Sequence, residues 1–205
     1  MHISTPPRNG VVSLRILAIL LLLSVGLLAE NDVAVTASVP MVSQTLGTAI
    51  YDTVLHETQT TRNNIALGVA FRHWFNHFGL EISANRVNTE SKFTDGAPVV
   101  AFPVHRYELS GIILHRFQRP EGSRIQPFMG VGTGVMLFNG SGSAGWAQSV
   151  EGVLTSGVDI PITHRVSLKA EMRFHLFMNT GFGDAHYYPN LAHCVEPTTG
   201  VSFKF

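Results

Sequence analysis

Polar and apolar residues alternate almost without interruption at positions 165–178, where the sequence reads RVSLKAEMRFHLFM. Because alternate side chains of a β-strand point to opposite faces, this pattern predicts a strand with one charged and one apolar face. An ordinary globular strand has about 5–6 residues, less than half of this length. A transmembrane barrel strand needs about 9–11 residues, apolar toward lipid and polar toward the lumen. We therefore interpret the segment as a barrel strand, in which only Phe177 breaks the alternation.

Alternation of the same kind, although less complete, recurs along the chain between clusters of Gly, Pro, Asn and Asp. It predicts strands at positions 48–58, 65–74, 78–87, 104–117, 124–138, 147–159, 165–178 and 198–205. The second, fourth and sixth connections are short, as is the first, and longer polar loops are predicted at 88–103, 139–145 and 179–193. An even number of strands, with short turns at one end and longer loops at the other, predicts an all-β, eight-stranded antiparallel up-and-down transmembrane barrel.

The N-terminal region has the pattern of an export signal. A basic start is followed at 16–29 by the apolar run ILAILLLLSVGLLA, which predicts a secretory signal peptide at 1–29. As a helix this run would rise ~21 Å, short of the ~30 Å hydrocarbon core, although an uncleaved single-pass anchor is the alternative. Cleavage is expected after Ala29 or after Ala37. Residues 30–47 are weakly patterned and are predicted to be a flexible lead-in, so the barrel is expected at 48–205.

The composition suits a protein that shows apolar surface to something other than water. The formal net charge is zero, and charged residues make up 14% of the chain, against about 25% in typical domains. No basic or acidic tract points to a nucleic-acid partner. Cys194 is the only cysteine, so no intrachain disulfide can form. It is a reactive thiol, half of an intermolecular bridge, or a loop cysteine of no consequence.

The polar faces of the predicted strands carry charges of both signs. They are Glu81, Glu108, Glu151, Glu171, Arg72, Arg106, Lys169, Arg173 and Lys204. An eight-stranded barrel leaves an interior only wide enough for side chains to fill, so these charges are expected to pair with one another inside it. A conducting pore or a catalytic pocket lined by the same residues is the alternative. Gly130, Gly132 and Gly134 are expected to make room for the long side chains.

Several motifs share residue types with chemical sites but lack the features that those sites need. The glycines at 130–134 lack the dinucleotide spacing and the following helix. His73 and His77 flank a predicted turn and have no third ligand at a fixed spacing. Ser167, Glu171 and His175 share one strand face, but nothing distinguishes them from polar filling. We therefore assign no catalytic, cofactor-binding or metal-binding residue from the sequence, and no cofactor.

Three segments resemble a known group of proteins. The terminal TTGVSFKF, which ends on Phe205, resembles the last strand of Gram-negative outer-membrane barrels. PFMGVGTGVMLF at 127–138 and VSLKAEMRFHLF at 166–177 resemble strands of the small OmpA-like and OmpX-like barrel proteins. The resemblance covers 48–205 and lacks the peptidoglycan-binding domain of full OmpA proteins. It implies that the barrel-assembly machinery recognises the C-terminal strand.

The sequence therefore predicts a porin-like membrane protein of the outer membrane, exported through a cleaved signal peptide. A structural or surface-interaction role is expected, not an enzymatic one, with extracellular loops as the contact surface. Outer-membrane lipid and the barrel-assembly machinery are the expected partners, and the protein is expected to be a monomer. An outer-membrane lipid-modifying enzyme and a secreted soluble ligand-binding barrel are the alternatives.

Overall fold

The computed structural model describes residues 30–42, 46–50, 54–95, 97–119, 121–140, 145–178 and 186–205. The predicted signal peptide at 1–29 lies outside these residues, as do parts of the predicted loops at 139–145 and 179–193. No helix in the described segments is long and apolar enough to span a membrane.

All regular structure in the described residues is β-strand. The strands are β1 (Glu30–Ser38), β2 (Met41–Val42), β3 (Gly47–Ile50), β4 (Val54–Phe75), β5 (Phe78–Asp95), β6 (Ala97–Arg116), β7 (Gln126–Gly140), β8 (Gly145–Pro161), β9 (Val166–Met178), β10 (Tyr187–Pro189) and β11 (Leu191–Lys204). The eight longest strands pair antiparallel in the order β1-β11-β9-β8-β7-β6-β5-β4, and β1 also pairs with β4. This last pairing closes the sheet, so the predicted eight-stranded up-and-down barrel is confirmed.

The barrel begins earlier than predicted, because Glu30–Ser38 is a strand and not a flexible lead-in. β1 pairs with β11 from Asp32↔Lys204 to Ser38↔Thr198, and with β4 from Glu30↔Trp74 to Ser38↔Ala66. The sequence ENDVAVTAS does alternate, with the side chains of Asp32 and Ala34 buried and that of Val35 exposed. Because its inward side chains are short and its apolar side chains are small, the alternation of polar and apolar residues is weak in the sequence.

The first two predicted strands, 48–58 and 65–74, do not match the structure. β4 is one strand that covers the end of the first, from Val54, and all of the second, with a register shift between Thr61 and Ala66, and Gly47–Ile50 forms the separate short strand β3. The polar run between the two predicted strands looked like a connection. Its backbone instead stays paired with β5 up to Thr61, and the pairing resumes at Ala66, because ladder hydrogen bonds need no apolar side chains.

The predicted loop at 88–103 is also strand. β5 and β6 continue as a paired hairpin from Asn88↔His105 to Asp95↔Ala97, with a register shift between Phe93 and Thr94. The polar residues predicted a loop because a strand beyond the apolar belt no longer alternates in hydrophobicity. The prediction of a loop at 88–103 was therefore wrong, because the segment extends the two barrel strands that it connects.

The two faces of the wall are assigned as predicted. In β9 the side chains of Lys169, Glu171 and Arg173 are buried, whereas those of Leu168 and Met172 are exposed. Each of the eight barrel strands exposes at least one large apolar side chain on the outer face. Examples are Val35, Val69, Phe71, Leu80, Ile82, Leu109, Ile113, Val131, Val150, Leu154, Leu168, Met172 and Phe203. The outside of the barrel is therefore an apolar belt.

The interior is not polar throughout. One apolar cluster contains Leu46, Val104, Met136, Phe138, Ala147, Phe177, Ala192 and Cys194. A second contains Trp74, Ile112, Leu114, Phe128 and Val153. Phe177 broke the sequence pattern because it faces inward into the first cluster, which we call the loop-side cap. The second, which begins beside the β4–β5 turn with Trp74, we call the turn-side cap.

The glycines of β7 reflect close contact between strands. A Cβ atom on Gly132 would lie 2.2 Å from the carbonyl oxygen of Gly111 in β6, and one on Gly134 would lie 2.5 Å from that of Leu109. Of the long interior side chains, that of Glu151 approaches the Gly134 position, at 2.6 Å. The glycines therefore serve mainly to let β6 and β7 approach each other on the concave inner face.

Candidate functional site

Charged interior side chains from six of the eight barrel strands converge between the two apolar caps. Asp32 of β1 is also buried and accepts a hydrogen bond from Trp74 at 3.1 Å. β9 contributes a row of four, Lys169, Glu171, Arg173 and His175, because every second residue of a strand points inward. The other five strands are β4, β5, β6, β8 and β11, and the contacts divide the charged residues into two groups.

The first group contains equal numbers of acids and bases, and we call it the balanced network. It consists of Arg72, Lys169 and Arg173 with Glu81, Asp159 and Glu171. Because three cations meet three carboxylates, the group is neutral as a whole. It spans β4, β5, β8 and β9 across the lumen.

Arg72 is the hub of the balanced network. Its guanidinium donates to Glu81 at 2.5 Å, to Glu171 at 3.1 Å and to Asp159 at 3.3 Å. Its planar face also lies 4.4 Å from the centre of the Phe128 ring in the turn-side cap. Five donors in a fixed fork suit one arginine to several carboxylates at once.

Lys169 and Arg173 complete the balanced network from β9. Lys169 Nζ lies 2.8 Å from Glu171 and 3.3 Å from Glu81. Arg173 contacts both of the same carboxylates and also donates to Ser83 at 2.9 Å. Each buried charge therefore has an opposite charge in contact, which offsets the several kcal/mol that an unpaired buried ion would cost.

The second group is rich in acid, and we call it the acidic cluster. It consists of Arg106 and Glu108 from β6, Glu151 from β8, His175 from β9 and Glu196 from β11. All five side chains are buried. Arg106 Nη2 lies 2.7 Å from Glu108 and 3.8 Å from Glu196. One guanidinium therefore faces two carboxylates, and the third carboxylate of the cluster, that of Glu151, contacts His175.

His175 lies between two of these carboxylates. Its Nδ1 is 2.7 Å from Glu151 Oε2, and its Nε2 is 3.6 Å from Glu196 Oε2. Because an ionised carboxylate can only accept, Nδ1 donates its hydrogen to Glu151. The second oxygen of Glu196 accepts a short hydrogen bond from Ser38 Oγ.

The acidic cluster also has the donor atoms of a metal site. One ligand atom each from Glu108, His175 and Glu196 lies within 4.8 Å of the others. Within the described segments, this is the one His, Cys, Asp and Glu group that meets such a geometry.

Glu196 was missed in the sequence, where it precedes the predicted strand 198–205 and is followed by Pro197. Pro197 lies in β11 opposite Met172, so the last strand includes Glu196. The signal that could have found Glu196 is the alternation of Ala192, Cys194, Glu196 and Thr198, all of which are buried. The prediction that Cys194 lies in a loop is wrong as well, because it lies in β11 within the loop-side cap.

The residues considered for an enzyme are not brought together. Ser167 and His175 are eight positions apart in one extended strand, a separation of about 26 Å. Glu171 belongs to the balanced network, and His175 to the acidic cluster. Ser167 is buried, and no hydrogen-bond partner for its hydroxyl is found among the described residues. This geometry does not support a Ser, Glu and His catalytic group.

The remaining residues singled out in the sequence lie near the turn end. His73 has Nδ1 2.6 Å from Asn31 Oδ1, whereas His77 lies beside His115 at a ring distance of 6.5 Å. These two histidines thus have different neighbours. Lys204, predicted on the inward face, is at the end of β11 and pairs with Glu30, which also lies 3.0 Å from Arg116.

Comparison with known proteins connects this architecture to one class of membrane protein. Neisserial surface protein A superposes with a TM-score of 0.56 at 15% identity, covering 86% of this chain and 97% of that one. The outer membrane protein OprG of Pseudomonas aeruginosa gives 0.56 at 14% identity, covering 86% and 95%. Ail, the attachment invasion locus protein of Yersinia pestis, gives 0.51 at 10% identity, covering 86% and 99%.

No family model matches the sequence, and no curated protein matches it closely enough to count as a relative. The likeness therefore concerns the fold alone, and it confirms the fold that the terminal strand and the two internal segments suggested. The chain has the small eight-stranded barrel fold of bacterial outer-membrane proteins.

Proposed function

We propose that this protein is a closed, non-conducting barrel of the bacterial outer membrane, with a structural and surface-contact role. The observation that carries the proposal is the filled lumen. The balanced network and the acidic cluster occupy it between the loop-side and turn-side caps, and their charged side chains are buried. Eight-stranded barrels are generally filled in this way.

The apolar outer belt supports a place in a membrane. Side chains such as Val150, at 72% exposure, and Leu67, at 64%, would be costly to leave in water around a whole barrel. Lipid is therefore the proposed partner of this belt. The fold neighbours that are outer-membrane proteins favour that membrane over others, with export through the predicted signal peptide.

The hairpin formed by β5 and β6 is the proposed contact surface. It extends the wall at the end opposite the β4–β5 turn, and Phe93 stacks on Phe102 within it at a ring distance of 6.1 Å. The opposite end holds the turn at 76–77 and the connections 117–125 and 162–165. In small outer-membrane barrels the longer connections face the outside of the cell.

Fractionation of expressing cells tests the membrane location. The protein is expected in the outer-membrane fraction, with unheated samples migrating differently from boiled samples on a gel, as a folded barrel does. Recovery as a soluble periplasmic protein would overturn the proposal and favour the secreted ligand-binding barrel.

Cysteine labelling of intact cells tests the orientation. Asp95→Cys places a thiol at the tip of the hairpin, and Glu121→Cys is the matched control at the opposite end, since both side chains are exposed. A membrane-impermeant maleimide is expected to label the first variant in whole cells and the second only after permeabilisation. Cys194 is buried and stays unlabelled in the folded barrel. The reverse pattern of labelling would contradict the proposed contact surface.

A further inference from the structure

We propose that the acidic cluster is a binding site for one divalent first-row transition-metal ion, held by Glu108, His175 and Glu196. The three residues come from β6, β9 and β11, so the site exists only in the folded barrel. One imidazole nitrogen with carboxylate oxygens is a ligand set that Zn²⁺, Co²⁺ and related ions accept.

The spacing of the donor atoms fits a single ion. The three ligand atoms lie within 4.8 Å of one another. Atoms that each bind an ion at about 2.0–2.2 Å are separated by up to about 4.4 Å across it. A small inward movement of the carboxylates therefore brings all three into the coordination shell.

Two of these ligand atoms have no hydrogen-bond partner among the described residues. His175 Nε2 and Glu196 Oε2 face each other at 3.6 Å, and both side chains are 1% exposed. Two acceptors aimed at each other without a hydrogen between them repel, and buried polar atoms without partners are rare in folded proteins. A cation between them satisfies both.

The surrounding contacts are those that orient metal ligands. Glu151 accepts from Nδ1 of His175 at 2.7 Å, which leaves Nε2 as the atom with the free lone pair. Ser38 holds one oxygen of Glu196, and Asn85 donates to Glu108 at 3.3 Å. Each proposed ligand thus has a second partner outside the site.

The charge of the cluster also matches a divalent ion. With His175 neutral, the five residues of the cluster carry three carboxylates and one guanidinium, which leaves two negative charges. The balanced network in the same lumen has three acids against three bases. An uncompensated pair of buried negative charges is costly, so the acidic cluster requires either a divalent cation or bound protons.

Metal analysis of the full chain separates these two possibilities. Because the loop-side cap covers the cluster in the folded state, the protein is unfolded and then refolded in detergent with Zn²⁺ or Co²⁺ present. Unbound ions are removed afterwards. We expect about one ion per chain and visible absorption bands of bound Co²⁺. A folded barrel that retains no metal would show that protons balance the cluster, and would overturn the proposal.

Variants locate the ion. His175→Gln and Glu196→Gln are each expected to abolish retention of Zn²⁺, whereas His193→Gln, on the outer face of β11, is expected to retain it. Glu151→Gln tests a positioning residue and is expected to weaken binding about 10- to 100-fold without removing it. Heat-modifiable migration reports folding for each variant. If the chain binds one ion and both ligand variants still bind it, the site lies elsewhere and the assignment is wrong.

If one ligand variant fails to fold, the other keeps the test decisive. Should both fail, the wild-type protein answers the question through its unfolding midpoint in urea. Zn²⁺ present during refolding is expected to raise that midpoint, and Mg²⁺ at the same concentration is expected to have little effect. Equal midpoints with and without Zn²⁺ would overturn the proposal.

Discussion

At the scale of single residues, the wall of the barrel places apolar side chains on the outer face and charged side chains in the lumen. Met172 lies near the middle of β9 and is 45% exposed on the outer belt, while its neighbours Glu171 and Arg173 are buried. Met172→Arg is expected to destabilise the folded barrel in a bilayer by about 2–4 kcal/mol, because a cation is placed in hydrocarbon. Urea unfolding in lipid vesicles measures this. Met172→Leu, the matched control, should change the free energy by less than about 1.5 kcal/mol. If arginine is tolerated at Met172, the outer face does not contact lipid.

Inside the wall, the cost of a substitution depends on the partners that it leaves behind. Glu171 contacts Arg72, Lys169 and Arg173. Glu171→Gln keeps the shape but removes one of the charges that neutralise these three cations, so a loss of about 3–5 kcal/mol is expected. Equilibrium unfolding measures it, with Glu121→Gln as the exposed control, expected within about 0.5 kcal/mol of wild type. A value for Glu171→Gln as small as the control's would mean that the balanced network is solvated.

Residue identities on the inner and outer faces were readable from the sequence wherever strand alternation was strong. The charged row of β9 and the glycines of β7 faced inward as predicted. The pairing of these charges into two groups was not readable, because partners such as Arg72 and Asp159 are 87 positions apart in sequence. Glu196 was missed because the last strand was predicted to begin at Thr198, whereas β11 begins at Leu191.

At the scale of elements, β1 is the strand on which closure depends. It pairs with β11 on one side and with β4 on the other. Cleavage after Ala29 preserves all of it, whereas cleavage after Ala37 would remove nearly all and leave two unpaired edges. The mature N-terminus is therefore expected to be Glu30, which mass spectrometry of the exported protein measures.

Deleting residues 30–37 from the mature chain tests the same dependence directly. The shortened protein is expected to lose its heat-modifiable migration, because an open sheet edge in lipid leaves backbone groups without partners. A barrel that still folds and shifts on the gel would mean that β4 and β11 can pair with each other. β1 was hard to predict from the sequence because its inward residues are as small as Ala34. The larger apolar residues of β9 make the alternation of that strand easy to recognise.

At the scale of the whole molecule, the two apolar caps and the charged side chains together fill the lumen. Along β6, Val104 of the loop-side cap, the charged Glu108 and Ile112 of the turn-side cap follow one another, so no single side chain acts as the plug. Phe177 belongs to the loop-side cap, is 1% exposed and lies 6.2 Å from the ring of Phe138. An open-pore role would instead make this ring a gate across a polar channel.

A filled lumen and a pore gated by Phe177 predict different effects of Phe177→Ala on stability and conductance. If the lumen is filled, the variant should lose about 3–5 kcal/mol of stability through the cavity it creates. It should show no conductance steps in planar lipid bilayers, as for the wild type, because the charged layer below remains packed. Leu176→Ala, which removes a neighbouring side chain from the outer face, controls for general loosening of β9. Discrete conductance that appears only in Phe177→Ala would contradict the filled barrel and would assign the loop-side cap as a gate.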